Sequence, residues 1–137
     1  MKYLLDTNII SEMQKLQCNP KVKLFIDEIP PEDMFICSVS MGELWYGIEK
    51  LPAGKKKHNL TIWFHTKLPQ WFDGRIICLD TDTMTTWGRI RARTGRTIPA
   101  IDSLIASAAI CHHMTLVTRN TKDFKDIEGI ILFNPWE

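Results

Sequence analysis

At 137 residues and 15.9 kDa the chain is sized for one domain with a single core. Hydrophobic residues make up 45%, which excludes intrinsic disorder, and a formal net charge of +1 gives no global attraction to nucleic acid or to a membrane surface. No apolar run approaches the roughly 18 residues of a membrane span, and the N-terminus lacks a charged-then-apolar leader, so a cytoplasmic protein without a membrane partner is expected.

Lys2-Tyr3-Leu4-Leu5 reads as a short strand buried on both faces, and Asp6 falls where it ends. Thr7 or Asn8 then caps a short helix carrying Ile9, Ile10 and Met13. Asn19-Pro20 starts a second helix, which Pro30-Pro31 ends. Met34-Phe35-Ile36-Cys37 is the second strand. Ser40 and Glu43 in the helix after it match the S-x-x-E capping box, which gives Glu43 a purely structural reading. Lys55 to Phe72 is helical in spacing, broken or kinked at Pro69, and rich in aromatics. Ile76-Ile77-Cys78-Leu79 is the third strand, followed by an Asp80-capped helix for which Gly95 offers a left-handed end.

Ala100 to His112 is the most informative helix. Asp102 lies on the same stripe as Ile105 and Ala106, and a carboxylate on a buried face is costly unless it is paired or binds a metal. Thr115-Leu116-Val117-Thr118 and Ile130-Ile131-Leu132-Phe133 complete the strands. Strands alternating with helices predict an α/β fold: a three-layer α/β/α sandwich around a mainly parallel sheet of four to five strands. Cys18, Cys37, Cys78 and Cys111 form no CxxC pair and no disulfide framework. Cys111-His112-His113 invites a zinc reading, but neighbours on a helix point about 100° apart, which sets three in a row against convergence on one ion.

Right-handed crossovers place helix N-termini at the carboxyl edge of a parallel sheet. Asp6, Glu43, Asp102 and Asp123 thereby meet at one rim. Four carboxylates in a cleft repel one another and need protons or cations. Ligation by oxygen alone suits Mg²⁺ or Mn²⁺, and a hard divalent ion among acids activates water for in-line attack on a phosphodiester. Thr7, Asn8, Ser40, Thr118 and Asn120 are short polar groups suited to orienting the acids or a water. For RNA contact the candidates are Lys55 to Lys57, the Arg89-Arg91-Arg93-Arg96 group and Arg119, which borders the acidic rim.

Leu4-Leu5-Asp6-Thr7-Asn8, Glu43, Pro99-Ala100-Ile101-Asp102-Ser103-Leu104-Ile105-Ala106 and Val117-Thr118-Arg119-Asn120-Thr121-Lys122-Asp123-Phe124 together resemble the PIN domain, and most closely the bacterial VapC-type toxins, including the FitB-like branch. The ordered set spans nearly the whole chain, so residues 1–137 are expected to be a single PIN domain. The resemblance implies a Mg²⁺- or Mn²⁺-dependent endoribonuclease, a cognate VapB-type antitoxin, an RNA substrate and a homodimer. It also implies that Asp6, Glu43, Asp102 and Asp123 bind the metal, with Thr118 and Asn120 in support. Two rival readings stand beside it. One is a non-catalytic PIN-like RNA-binding or scaffold protein, which the intact acids disfavour. The other is a magnesium-dependent phosphatase built on Asp80-Thr81-Asp82-Thr83, which a double helix cap explains better. A nuclease acting on DNA or on structured RNA keeps the same site.

Overall fold

The computed structural model describes residues 1–137. Five strands, β1 (Tyr3–Leu5), β2 (Met34–Cys37), β3 (Ile76–Ile77), β4 (Thr115–Val117) and β5 (Leu132–Phe133), form one sheet in the order β3-β2-β1-β4-β5. Every neighbouring pair is parallel. Around the sheet lie α1 (Thr7–Met13), α2 (Pro20–Glu28), α3 (Ser38–Glu49), α4 (Lys55–His65), α5 (Lys67–Trp71), α6 (Thr81–Arg93) and α7 (Ala100–Cys111).

The period of two along each strand divides the core. Leu4, Cys37 and Leu116 face α6 and α7, packing on Ile90, Ile105, Ala106 and Ala109. Their neighbours Leu5, Ile36 and Val117 face the opposite way, onto Ile9 and Ile10 of α1, Leu44 of α3, and Leu68 and Phe72 of α5. Both faces are therefore covered, and the three-layer α/β/α arrangement expected from the sequence is what forms. The alanines of α7 let that helix lie close against the sheet.

The strand order reverses beside β1: the chain steps from β1 to β2 and β3 on one side, then crosses to β4 and β5 on the other. A crevice opens at such a switch point, beyond the carboxyl ends of the strands. Asp6 stands at the end of β1, its backbone N–H bonded to Val117 O of β4 at 2.9 Å.

Several local expectations are corrected. α1 is capped by Asp6, whose carboxylate accepts from Thr7 N–H, not by Thr7 or Asn8. The Ser40–Glu43 capping box does not form: the N-cap of α3 is Cys37, three residues before Ser40, and it makes no side-chain cap. The break before β3 falls at Thr66, and Pro69 sits in the first turn of α5, where its missing N–H has no helical partner to lose. α6 ends at an extended Thr94 whose N–H and hydroxyl both reach Ile90 O, so Gly95 makes no left-handed cap. α7 instead closes in a Schellman turn with His113 at φ 56, Met114 N–H bonding Ala109 O and His113 N–H bonding Ile110 O. Finally, α6 does not begin at the carboxyl edge. Two helices separate β3 from β4, so one of them must run with the strands, and Asp80 starts α6 beside the last turn of α7.

Candidate active site

Asp6, Glu43 and Asp102 line one cleft of about 370 Å³ at the switch point. Each arrives by a different route. Asp6 follows β1 directly. Glu43 comes from the second turn of α3, later in the helix than its expected place in the first turn. Asp102 is in the first turn of α7, set there by Pro99 at the N-cap and by the buried Ile98 and Ile105 on either side.

Asp6 is almost wholly buried, with 6% of its surface exposed, and both its oxygens are engaged. Oδ1 accepts Thr7 N–H at 2.7 Å and Oδ2 accepts the Thr118 hydroxyl at 2.7 Å. Thr118 is itself fully buried at the end of β4, and its oxygen accepts from Asn8 Nδ2 at 3.4 Å and from Asn120 N–H at 3.2 Å. Thr7 turns its hydroxyl the other way, donating to Glu43 Oε1 at 2.6 Å. Two threonines thus orient two of the acids. Of the remaining short polar candidates, Ser40 takes no part: its hydroxyl is buried away from the cleft with no partner.

Burial raises the Asp6 carboxyl above its ordinary range, and the Glu43 charge adds to this, against the Thr118 and Thr7 hydrogen bonds. Asp102 is half-buried and raised as well, by burial first and then by the charges of Asp6, Glu43 and Asp123, with Arg96 opposing. No lysine or arginine forms an ion pair with Asp6, Glu43 or Asp102. Asp123 closes a 3₁₀ turn, Thr121–Asp123, and is exposed; its charge reaches Asp102, but it does not line the cleft. Arg96 holds that turn in place, with bonds to both Asp126 oxygens at 2.8 and 2.9 Å and a further bond to Asp123 O. The donor set is all oxygen, pre-oriented and without a cationic partner, which fits a hard divalent ion.

The wall of the cleft includes residues that the sequence reading passed over. Ser11 and Glu12 extend the polar face of α1 from Asn8, at i+3 and i+4, which a helical count would have found, and Lys15 follows just past the helix end. Glu12 is a fixed anchor: it pairs with Lys15 at 3.1 Å and accepts Asn19 N–H at 2.8 Å, which with Lys15 keeps its carboxyl below the ordinary range. Trp136, near the C-terminus, had no sequence signal. It lies under the Arg119 guanidinium at 5.1 Å, and Asn134 holds the pair by bonding Arg119 O at 3.0 Å.

Most of the other basic candidates are engaged elsewhere. Arg91 stacks on Trp87 at 4.5 Å, Arg93 reaches Glu128 at 3.9 Å, and Lys57 bonds Glu49 O at 3.0 Å. Asp80 of the phosphatase-like motif caps α6 at the far edge of the sheet, accepting Thr83 N–H at 2.8 Å, and lies apart from the three acids. Its carboxyl is held below the ordinary range by that cap.

Removing the Thr118 hydroxyl tests how far the site depends on orientation. Thr118→Val keeps the shape but leaves Asp6 Oδ2 without its donor. Divalent-ion affinity, read by titration calorimetry, is expected to fall about 10- to 100-fold with the fold intact.

Residues 3–130 match the family model described as the PIN domain. The chain belongs to the PIN-domain family. Among its relatives is Toxin FitB of Neisseria gonorrhoeae, 36% identical over 136 residues, with 97% of each chain covered. A tRNA(fMet)-specific endonuclease VapC of Shigella flexneri is 32% identical, with 95% of each chain covered. The solved structure of FitAB bound to an IR36 DNA fragment superposes with a TM-score of 0.92 at 34% identity, covering 98% of this chain and 96% of that one. That superposition takes in nearly all of the five-stranded parallel sandwich described above.

Proposed function

We propose that this PIN domain, residues 1–137, is a metal-dependent endoribonuclease and the toxin of a VapBC-type toxin–antitoxin pair. Asp6, Glu43 and Asp102 hold the divalent ion, Mg²⁺ or Mn²⁺, and Asp123 completes the acidic group from its border. The observation that carries this reading is the cleft itself: three carboxylates from three distant segments share it, and none of them is ion-paired to a lysine or arginine.

When bound there, a divalent ion supplies the Lewis acidity that lowers the pKa of a nucleophilic water and offsets charge on the scissile phosphate. The protein's part is positioning. Thr118 and the Thr7 N–H fix both oxygens of Asp6, and Thr7 fixes Glu43, so little reorganisation is left for the reaction. Arg119 stands over the same cleft on the Trp136 ring and takes a neighbouring phosphate. The similarity to a toxin and to a tRNA(fMet)-specific endonuclease supports RNA as the substrate. A relative held in a complex on DNA supports a DNA-binding antitoxin partner. The protein acts on cellular RNA in the cytoplasm as a homodimer.

Purified protein incubated with total RNA tests this. Discrete cleavage is expected with Mg²⁺ or Mn²⁺ and none after chelation; cleavage unchanged by chelation, or none with either ion, contradicts it. Trp136→Ala, which removes the ring beneath Arg119, is expected to raise KM several-fold, about 2- to 10-fold, with a smaller change in kcat, the scale of one lost cation–π contact. Arg119→Ala is expected to weaken binding alike for all sequences and to flatten the dependence of affinity on salt by about one phosphate contact.

A further inference from the structure

The edge of the sheet opposite the acidic cleft carries a second group of ligand-type side chains. From Asp102 the α7 axis runs about 14 Å to Cys111 at its last turn. There Cys111 Sγ, a His112 ring nitrogen and an Asp80 carboxylate oxygen all lie within 4.8 Å of one another. Neighbouring side chains diverge by about 100° inside a helix, but His112 is the C-cap, at φ −96 and ψ 7, where the chain has begun to leave it. The Schellman turn at His113 then fixes that departure. Cys111 is a free thiol, and His112 Nε2 is buried with no hydrogen-bond partner. An imidazole nitrogen in that position costs free energy unless something binds it. The helix cap uses one Asp80 oxygen and leaves the other for a ligand.

We propose that Asp80, Cys111 and His112 bind a borderline-soft transition metal, Zn²⁺ being the expected ion, with solvent in the fourth position. Sulfur, nitrogen and oxygen donors together are a zinc-type set, and the thiolate separates this site from the all-oxygen cleft. Zinc bonds of roughly 2.0–2.3 Å place tetrahedral ligands about 3.5 Å apart. The gap left to close is at most about 1.3 Å, and the exposed Asp80 side chain is free to turn toward the other two ligands. The ion clips the start of α6 to the end of α7, and so braces the helix whose first turn carries Asp102.

Co²⁺ added to the full chain is the direct probe. An Asp102→Asn background, which weakens the acidic cleft, is expected to show the near-ultraviolet thiolate-to-cobalt band and the visible bands of a tetrahedral ion. Cys111→Ser added to it is expected to remove the near-ultraviolet band, and Asp80→Asn or His112→Gln to weaken Co²⁺ binding at least about tenfold. Cys78→Ser leaves the spectrum unchanged. Zn²⁺ at a hundredfold excess over its dissociation constant is expected to raise the melting temperature by about 5–10 °C, but not with Cys111→Ser. Absence of a thiolate band, or its survival in Cys111→Ser, overturns the proposal.

Discussion

Replacing Asp102 by asparagine is expected to lower RNA cleavage at least about a thousandfold while making the metal-free protein more stable at pH 7. The first effect follows from losing an ion that supplies several kcal/mol of transition-state stabilisation, since each 1.36 kcal/mol is tenfold in rate. The second has the opposite sign because the site is strained by its own charge. Burial and the neighbouring acids raise the Asp102 carboxyl above its unfolded value. A group raised in this way adds stability that is fully present below the unfolded pKa and is lost as pH rises through the folded one. At pH 7 that contribution is gone and the repulsion remains. Thermal melts of the wild type and Asp102→Asn without metal check this. The difference favouring the variant is expected to grow from about pH 4 upward and to reverse once Mg²⁺ saturates the wild type. Equal melts at every pH would remove the electrostatic strain from the explanation.

Ile105→Ala is expected to cost the fold about 2–5 kcal/mol, or a drop in melting temperature of roughly 8–20 °C. Ile105 is fully buried on α7, in the cluster with Leu4, Leu116 and Ile90. The alanines beside it are already small, so the helix has little side-chain volume with which to refill the space. Chemical denaturation of Ile105→Ala beside Ile101→Ala, whose side chain is partly exposed, measures the effect. Loss confined to Ile105→Ala is the expected result.

What the sequence revealed and what it hid divide along physical lines. Apolar runs such as Leu4-Leu5 and Leu116-Val117 marked the parallel strands because burial on both faces removes alternation. Asp102 stood out for a similar reason, as a charge on an apolar stripe. Capping motifs were less informative. Ser40 and Glu43 have the right spacing for a capping box, yet α3 begins at Ser38 and Glu43 is turned to Thr7, a partner 36 positions away that no local rule reaches. The direction of α6 depended on how two helices share one crossover, and that hid both the place of Asp80 and its meeting with Cys111 and His112. Trp136 joins the cleft only because β5 delivers the chain end to Arg119.

Crystals of the wild type soaked in Mn²⁺ give the most direct measurement, because anomalous scattering locates the ion without reference to activity. A Mn²⁺ peak bonded to oxygens of Asp6 and Asp102, with Glu43 at its side, is the expected result. It should vanish in Asp102→Asn crystals prepared in the same way. A cleft that stays free of Mn²⁺ at saturating concentration, or a peak bound only elsewhere, would contradict the claim that these acids are assembled to hold a cation.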